Sequence, residues 1–220
     1  MTNSAGPKPQ QEIDAIIFDH DGTLVDSESI TLAVVGEIAV DAGAEIFPED
    51  IDRFVGADLH VVFAEIERRS GAPLPEDIFD RFRARQTTAI ESGLDEVAGA
   101  HALLSALSLP MAVASNAPVA KMELCLRATN LLSFFAPGHL VSAYDVNLWK
   151  PDPAVFLRAA EVLGVDPSRC AVVEDSQPGV EAGLAAGMTV FALDPKDRFA
   201  NIDGITRVPD LGALGPFLNA

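Results

Sequence analysis

Two cysteines, one tryptophan, one tyrosine and four lysines are all that the 220-residue chain carries of those residue types. Each scarcity excludes something. Cys125 and Cys170 lie far apart, in Leu124-Cys125-Leu126 and Cys170-Ala171-Val172-Val173, without partners at metal-ligand spacing. They read as buried, reduced thiols of a cytoplasmic protein and not as a disulfide or zinc framework. No run of about 18 apolar residues occurs, which removes a membrane-spanning helix. An apolar leader is also missing: residues 1–11 are polar and contain proline and glycine, as expected of a disordered tail without a secretion signal. Basic residues number 15 against 33 acidic ones, a formal charge of −18. Nucleic acid and anionic membrane surfaces would be repelled, so neither is expected as a partner. An anion handled by this chain needs local cations that overcome the global field, and with Lys8, Lys121, Lys150 and Lys196 the only lysines, any that stands beside a motif is worth weighing. Hydrophobic residues at 49% supply a full core, and a monomer is compatible with that composition.

What is present is a recurring alternation. Short apolar, β-branched runs at Ile13–Asp19, Met111–Ser115, His139–Ala143, Cys170–Asp175 and Thr189–Leu193 are separated by helical stretches. That pattern predicts βαβ units and a doubly wound parallel sheet of the α/β class. Helix signals agree with it. Asp152 is placed to cap a helix with Pro153 at its first position and Gly164 closing it, and another helix runs from Pro178 to Ala186 before Gly187. The stretch from Asp26 to about Val97 breaks the alternation, being helical by period at Leu32–Ala42, Leu59–Arg69 and Ile78–Ile90. The expected organisation is therefore a tail (1–11), an α/β core (12–25 and 98–220) and a small helical cap inserted after the first strand (26–97). Such an insert is a candidate lid over the end of that strand.

Asp19-His20-Asp21-Gly22-Thr23 is the most informative stretch. Two carboxylates stand where a buried strand ends, and ligands of open α/β sheets bind beyond the carboxyl ends of the strands. One carboxylate can act as nucleophile while its neighbour moves protons. Like charges this close repel unless a cation joins them. Alone, the pentapeptide is also an ordinary turn. Three other strand ends add to it. Met111–Ala114 leads into Ser115-Asn116, expected to open a helix whose N-terminus could cradle phosphate. Trp149-Lys150-Pro151-Asp152-Pro153 holds a lysine before a proline-restricted turn, where it can serve as a fixed point charge. Val172-Val173-Glu174-Asp175 ends an apolar strand with two acids, costly unless they meet a metal or hydrogen-bond donors. Taken singly, Ser115 reads as an N-cap and Lys150 as a surface lysine. Together the four sites supply what phosphoryl transfer needs, which is mostly positioning and charge stabilisation.

The arrangement resembles the haloacid dehalogenase superfamily, whose four motifs are matched by Asp19-x-Asp21-Gly22-Thr23, Ser115-Asn116, Lys150-Pro151 and Glu174-Asp175. The resemblance implies a Rossmann-like core, and the helical insert is similar to the cap of the β-phosphoglucomutase-like phosphatase branch. It implies phosphorylation of Asp19, acid/base work by Asp21, and Mg²⁺ held by Asp19, the Asp21 carbonyl and Asp175 with Glu174 assisting. Gly22, Thr23, Ser115, Asn116 and Lys150 would bind the phosphoryl group. Gly99–Ala106, Ser115–Met122 and Tyr144–Pro153 look like bacterial 6-phosphogluconate phosphatases, which implies a small phosphorylated sugar or sugar acid as substrate. Arg53, ahead of Gly56 in the loop expected to set specificity, is the candidate to meet a substrate carboxylate through a forked pair of hydrogen bonds.

Particular residues speak against the neighbouring activities. A phosphomutase of the branch would carry a histidine near Thr31 and a Lys-Gly-x-x-Arg-type cap loop where this chain has Val55-Gly56-Ala57-Asp58-Leu59-His60. A phosphonate hydrolase would need a cap lysine, and residues 26–97 hold none. A dehalogenase lacks the second aspartate. A non-catalytic phosphosugar-binding protein is the reading from another class, against which stand the intact motifs. Lys121 reads equally as a surface or salt-bridge residue and as a substrate contact. Trp149 either walls the site or packs its loop. His20 is expected to point away and pack, and His60 and Glu28 to lie on an exposed cap face.

Overall fold

A computed structural model describes residues 12–45, 50, 54 and 59–218; the expected tail lies outside them. The chain divides into two compact units, one formed by residues up to Val25 and from Glu96 onward, the other by Asp26–Asp95.

The first unit is built on six parallel strands: β1 (Ala15–Phe18), β2 (Met111–Ser115), β3 (Leu140–Ser142), β4 (Cys170–Glu174), β5 (Thr189–Leu193) and β6 (Ile205–Val208). Their order across the sheet is β3-β2-β1-β4-β5-β6. Ile17 stands opposite both Ala112 and Val172, so β1 lies in the middle, where the winding direction reverses. This is the switch point at which open sheets of this kind bind ligands. The central strands are apolar on both faces, since helices cover both sides of a parallel sheet. Ala15, Ile17, Ala112, Ala114, Val172 and Val190 pack on Val155, Phe156, Ala159 and Val180 of the helices Ala154–Leu163 and Gln177–Ala185. Ile16 and Phe18 are also fully buried. Small side chains bring the second helix close, and a Cβ on Gly183 would come within 2.9 Å of Val190.

The doubly wound sheet follows the sequence expectation, with three local differences. β6 was not anticipated: it has four residues, half-exposed apart from Val208, and so lacks a continuous apolar signal. The helix before Gly164 is preceded by Pro153 at the cap and not by Asp152, whose carboxylate accepts the Ala154 N–H at 2.9 Å. Gly164 ends that helix at φ 68°, the left-handed region glycine adopts without strain. Ser115-Asn116 does not open a helix either. Ser115 is the last residue of β2, and the next helix, Val119–Ala128, begins behind Pro118.

The second unit is helical. Its helices Ser27–Asp41, Leu59–Ser70 and Ile78–Gly93 enclose Val34, Val35, Ile38, Val62, Phe63, Ile66 and Phe82. The first starts five residues before the apolar period does, because Asp26 caps it by accepting the Ser29 N–H. Arg69 forms a forked pair with the buried Asp50 at 2.5 and 2.7 Å and bonds Glu65 at 2.8 Å. Arg85 ties the third helix to Asp41 of the first at 2.5 Å.

Candidate active site

Asp19 leaves β1 still in register, its N–H donating to Val173 O at 2.9 Å. That bond fixes the carboxylate at the sheet's C-terminal edge. Lys150 arrives from the loop after β3. Its Nζ donates to Asp19 Oδ1 at 2.5 Å, Glu174 Oε1 at 2.8 Å and Ala114 O at 2.9 Å. An ammonium has three donors, so Lys150 is fully engaged, and it joins the ends of β1, β2 and β4. Its backbone is anchored as well, the N–H donating to Asn116 Oδ1 at 3.0 Å. The Phe156 ring lies 4.5 Å from the ammonium. The surface-lysine alternative for Lys150 does not survive this burial.

Glu174 is fully buried, and its second oxygen accepts the Ser176 N–H at 2.6 Å. Its carboxylate lies against Gly179, where a Cβ would fall 1.6 Å from Oε1. Only glycine fits there, a requirement the sequence reading missed. Asp175 accepts from Thr23 Oγ1 at 3.2 Å and lies on Gly22, where a Cβ would sit 2.5 Å from Oδ2 and φ is +84°. Gly22 also donates its N–H to Val25 O. Gly22 and the Thr23 hydroxyl thus serve Asp175 in this structure. Arg198, which the sequence reading did not single out, donates to the Asp175 carbonyl at 2.8 Å.

Asp19, Glu174 and Asp175 each bring a carboxylate oxygen within 4.8 Å of the others. Burial pushes the Asp19 carboxyl up to about 8; Lys150 opposes the shift, and Glu174 and Asp175 reinforce it. Asp175 is raised to about 7, by burial first and then by Glu174. Burial would lower the Lys150 ammonium, yet Asp19 and Glu174 hold it above the ordinary lysine range. Two buried acids on one ammonium, with the half-buried Asp175 beside them, leave negative charge uncompensated. A hard divalent cation fits such an all-oxygen donor set.

Asp21 behaves differently. Burial favours its neutral form, but His20 and Lys121 outweigh that and hold its carboxyl well below the usual carboxylate range. Lys121 Nζ donates to Asp21 Oδ1 at 2.8 Å. His20, expected to pack away from the site, is fully buried with Nδ1 3.2 Å from the same oxygen.

Ser115 is buried, its Oγ accepting the Ala117 N–H at 3.0 Å, and Ser142 Oγ donates to Ala117 O at 2.8 Å. The turn after β2 is therefore clamped by hydroxyls on both sides. Trp149 and Tyr144 meet edge to face at 5.4 Å, both exposed. In the helical unit, His60 packs on Phe79 with ring centroids 4.4 Å apart. Thr31 donates to Ser27 O and accepts from Gln86 Nε2 at 2.9 Å. Arg53 lies outside the described residues. No described helix is long and apolar enough to cross a membrane.

Residues 13–187 match the family model described as haloacid dehalogenase-like hydrolase. The chain is 37% identical over 190 residues to 6-phosphogluconate phosphatase of Escherichia coli K12, covering 84% of this chain and 86% of that protein. It is 32% identical over 185 residues to hexitol phosphatase A of the same organism, covering 81% and 82%. A solved haloacid dehalogenase-like protein from Agrobacterium tumefaciens superposes with a TM-score of 0.79 at 31% identity, covering 94% of this chain and 98% of that one.

Proposed function

The chain belongs to the haloacid dehalogenase-like hydrolase family, and from that premise we propose that it is a Mg²⁺-dependent phosphomonoesterase for a small phosphorylated sugar or sugar acid, working through a phospho-aspartate at Asp19. The observation that carries this reading is the placement of Asp19 Oδ1 2.5 Å from a fully engaged, buried Lys150, inside a cluster of three acids. A carboxylate so fixed can attack phosphorus in line, splitting one difficult transfer into two easier ones. Lys150 offsets its repulsion from the incoming phosphate.

In the first step the Asp19–phosphorus bond forms as the bond to the leaving oxygen breaks, and Asp21 gives that oxygen a proton. In the second, Asp21 takes a proton from water as the water oxygen attacks phosphorus, releasing inorganic phosphate and restoring Asp19. Asp21 begins as an ion-paired carboxylate, so it must collect its proton with the arriving ester before it can act as the acid. Asp19, the Asp21 carbonyl and Asp175 would hold Mg²⁺, with Glu174 kept in place by Lys150 and the Ser176 N–H. When bound, the ion supplies charge neutralisation for the phosphoryl oxygens. Ser115 and Asn116 form the proposed phosphate-binding side with Lys150, whose committed ammonium contributes its charge, while the Gly22 and Thr23 contacts described above keep Asp175 in position.

The substrate class rests on the two relatives named for 6-phosphogluconate and hexitol phosphates. Against a mutase stands Thr31, whose hydroxyl is engaged with Ser27 and Gln86 and supplies no histidine. A screen of phosphorylated metabolites with Mg²⁺ tests the proposal. Hydrolysis of sugar and sugar-acid phosphates, lost in excess chelator and restored by Mg²⁺, is the expected result. Full turnover in chelator would refute the metal, and a preference for nucleotides or phosphoglycolate would refute the substrate class.

A further inference from the structure

Lys121 is a second lysine at this sheet edge, and the chemistry above uses only the first. It stands in the first turn of the Val119–Ala128 helix, and its side chain is 27% exposed, as that of its partner Asp21 is 32% exposed. Lys150, by contrast, has every donor committed inside the protein. A half-exposed pair of this kind adds little to stability. Its ammonium can therefore exchange one carboxylate for another without unfolding anything.

Its pairing with Asp21 bears on which part of a substrate it meets. Lys121 follows β2 and Asp21 follows β1, whereas Glu174, Asp175 and Arg198 gather on the β4–β5 side. The proposed acid, Asp21, must touch the oxygen that departs with the alcohol. A cation 2.8 Å from that carboxylate therefore stands beside the oxygen that departs. In a chain of charge −18 an anionic leaving group is repelled unless a cation waits for it.

We propose that Lys121 is a specificity residue that recognises a carboxylate on the leaving alcohol, releasing Asp21 to the scissile oxygen as it does so. The ligand class is a phosphate ester of a sugar acid. This inference rests on the phosphatase reading of the site and narrows its substrate.

The test compares 6-phosphogluconate with glucitol 6-phosphate, which share the leaving oxygen and hydroxyl chain and differ at the far carbon, carboxylate against alcohol. Steady-state kcat and KM are measured with Mg²⁺ for the parent chain, Lys121→Gln and Lys121→Arg. In Lys121→Gln the ratio of kcat/KM for acid over alcohol should fall by about tenfold or more, mainly through KM of the acid, as expected for loss of a charge-assisted hydrogen bond. Lys121→Arg, which keeps the cation, should retain most of the ratio. An unchanged ratio in Lys121→Gln, or an equal fall in kcat for both esters, would overturn the inference, because Lys121 would then act on Asp21 alone. Failure of the parent chain to hydrolyse either ester would overturn the phosphatase reading and this inference with it.

Discussion

Two clusters of charge, one in each unit, are arranged to opposite ends. In the helical unit, Arg69 meets Asp50 through a forked pair and Glu65 through a third bond, and Arg68 adds to Glu65. Signs are matched there: hydrogen bonds from Arg68 and Arg69 lower Glu65 to about 2. At the sheet edge, Asp19 and Glu174 share one ammonium with Asp175 beside them, and burial lifts Asp19 to about 8 and Asp175 to about 7. Charge that is matched in sign holds helices together. Charge that is buried and left in excess costs the fold stability and is kept where something else completes it, here the proposed cation.

The sharpest way to break the comparison is to remove the nucleophile. Asp19→Asn should reduce kcat by about 10⁴-fold or more, as losing a covalent catalyst does, while staying folded. Retention of near-normal kcat would end the assignment. Lys150→Ala should lower kcat/KM by about 10²-fold or more. A loss under tenfold would return Lys150 to a structural role. The matched cluster should respond the other way: Arg69→Ala removes the forked pair on the buried Asp50 and should destabilise the protein by about 1.5–3 kcal/mol, read by chemical denaturation. Mg²⁺ affinity of the folded variant should be unchanged.

The smallest effect is the most diagnostic in sign. A carboxyl whose folded value lies above its unfolded one costs stability as pH rises from the unfolded value through the folded one. Asp175, at 3.8 unfolded and about 7 folded, should therefore weaken the metal-free protein increasingly between pH 4 and pH 8. Asp175→Asn should raise the metal-free Tm by about 2–4 °C at pH 8, lose that advantage near pH 4, and abolish stabilisation by Mg²⁺. A lower Tm at pH 8 would show that the acid is satisfied where it stands.

Much of the fold was legible because the central strands are continuous apolar runs punctuated by glycine and proline; β1, β2, β4 and β5 announce themselves so. β6 escaped because Ile-Thr-Arg-Val on a half-exposed edge has no such run. The first helix began early because its opening turn is polar and held by a cap. At the site, the residues on strand ends could be picked out as chemistry placed after apolar runs. What joins them could not. The contact of Glu174 with Gly179, the bond from Arg198 to Asp175 and the pairing of Lys121 with Asp21 across a separation of 100 residues depend on how distant segments meet. No local period encodes them. Gly179 alone left a trace, as a glycine inside an expected helix, where backbone freedom is a liability unless something approaches closely.

The central claim, that the overcharged sheet edge makes Asp19 a nucleophile, is tested most directly by trapping the enzyme in turnover. The reaction with 6-phosphogluconate and Mg²⁺ is quenched in acid, reduced with borohydride and mapped by mass spectrometry. An acyl phosphate at Asp19 would be converted to homoserine at position 19, and this is the predicted result. Reduction at Asp21 or Asp175 with Asp19 unmodified would contradict the account.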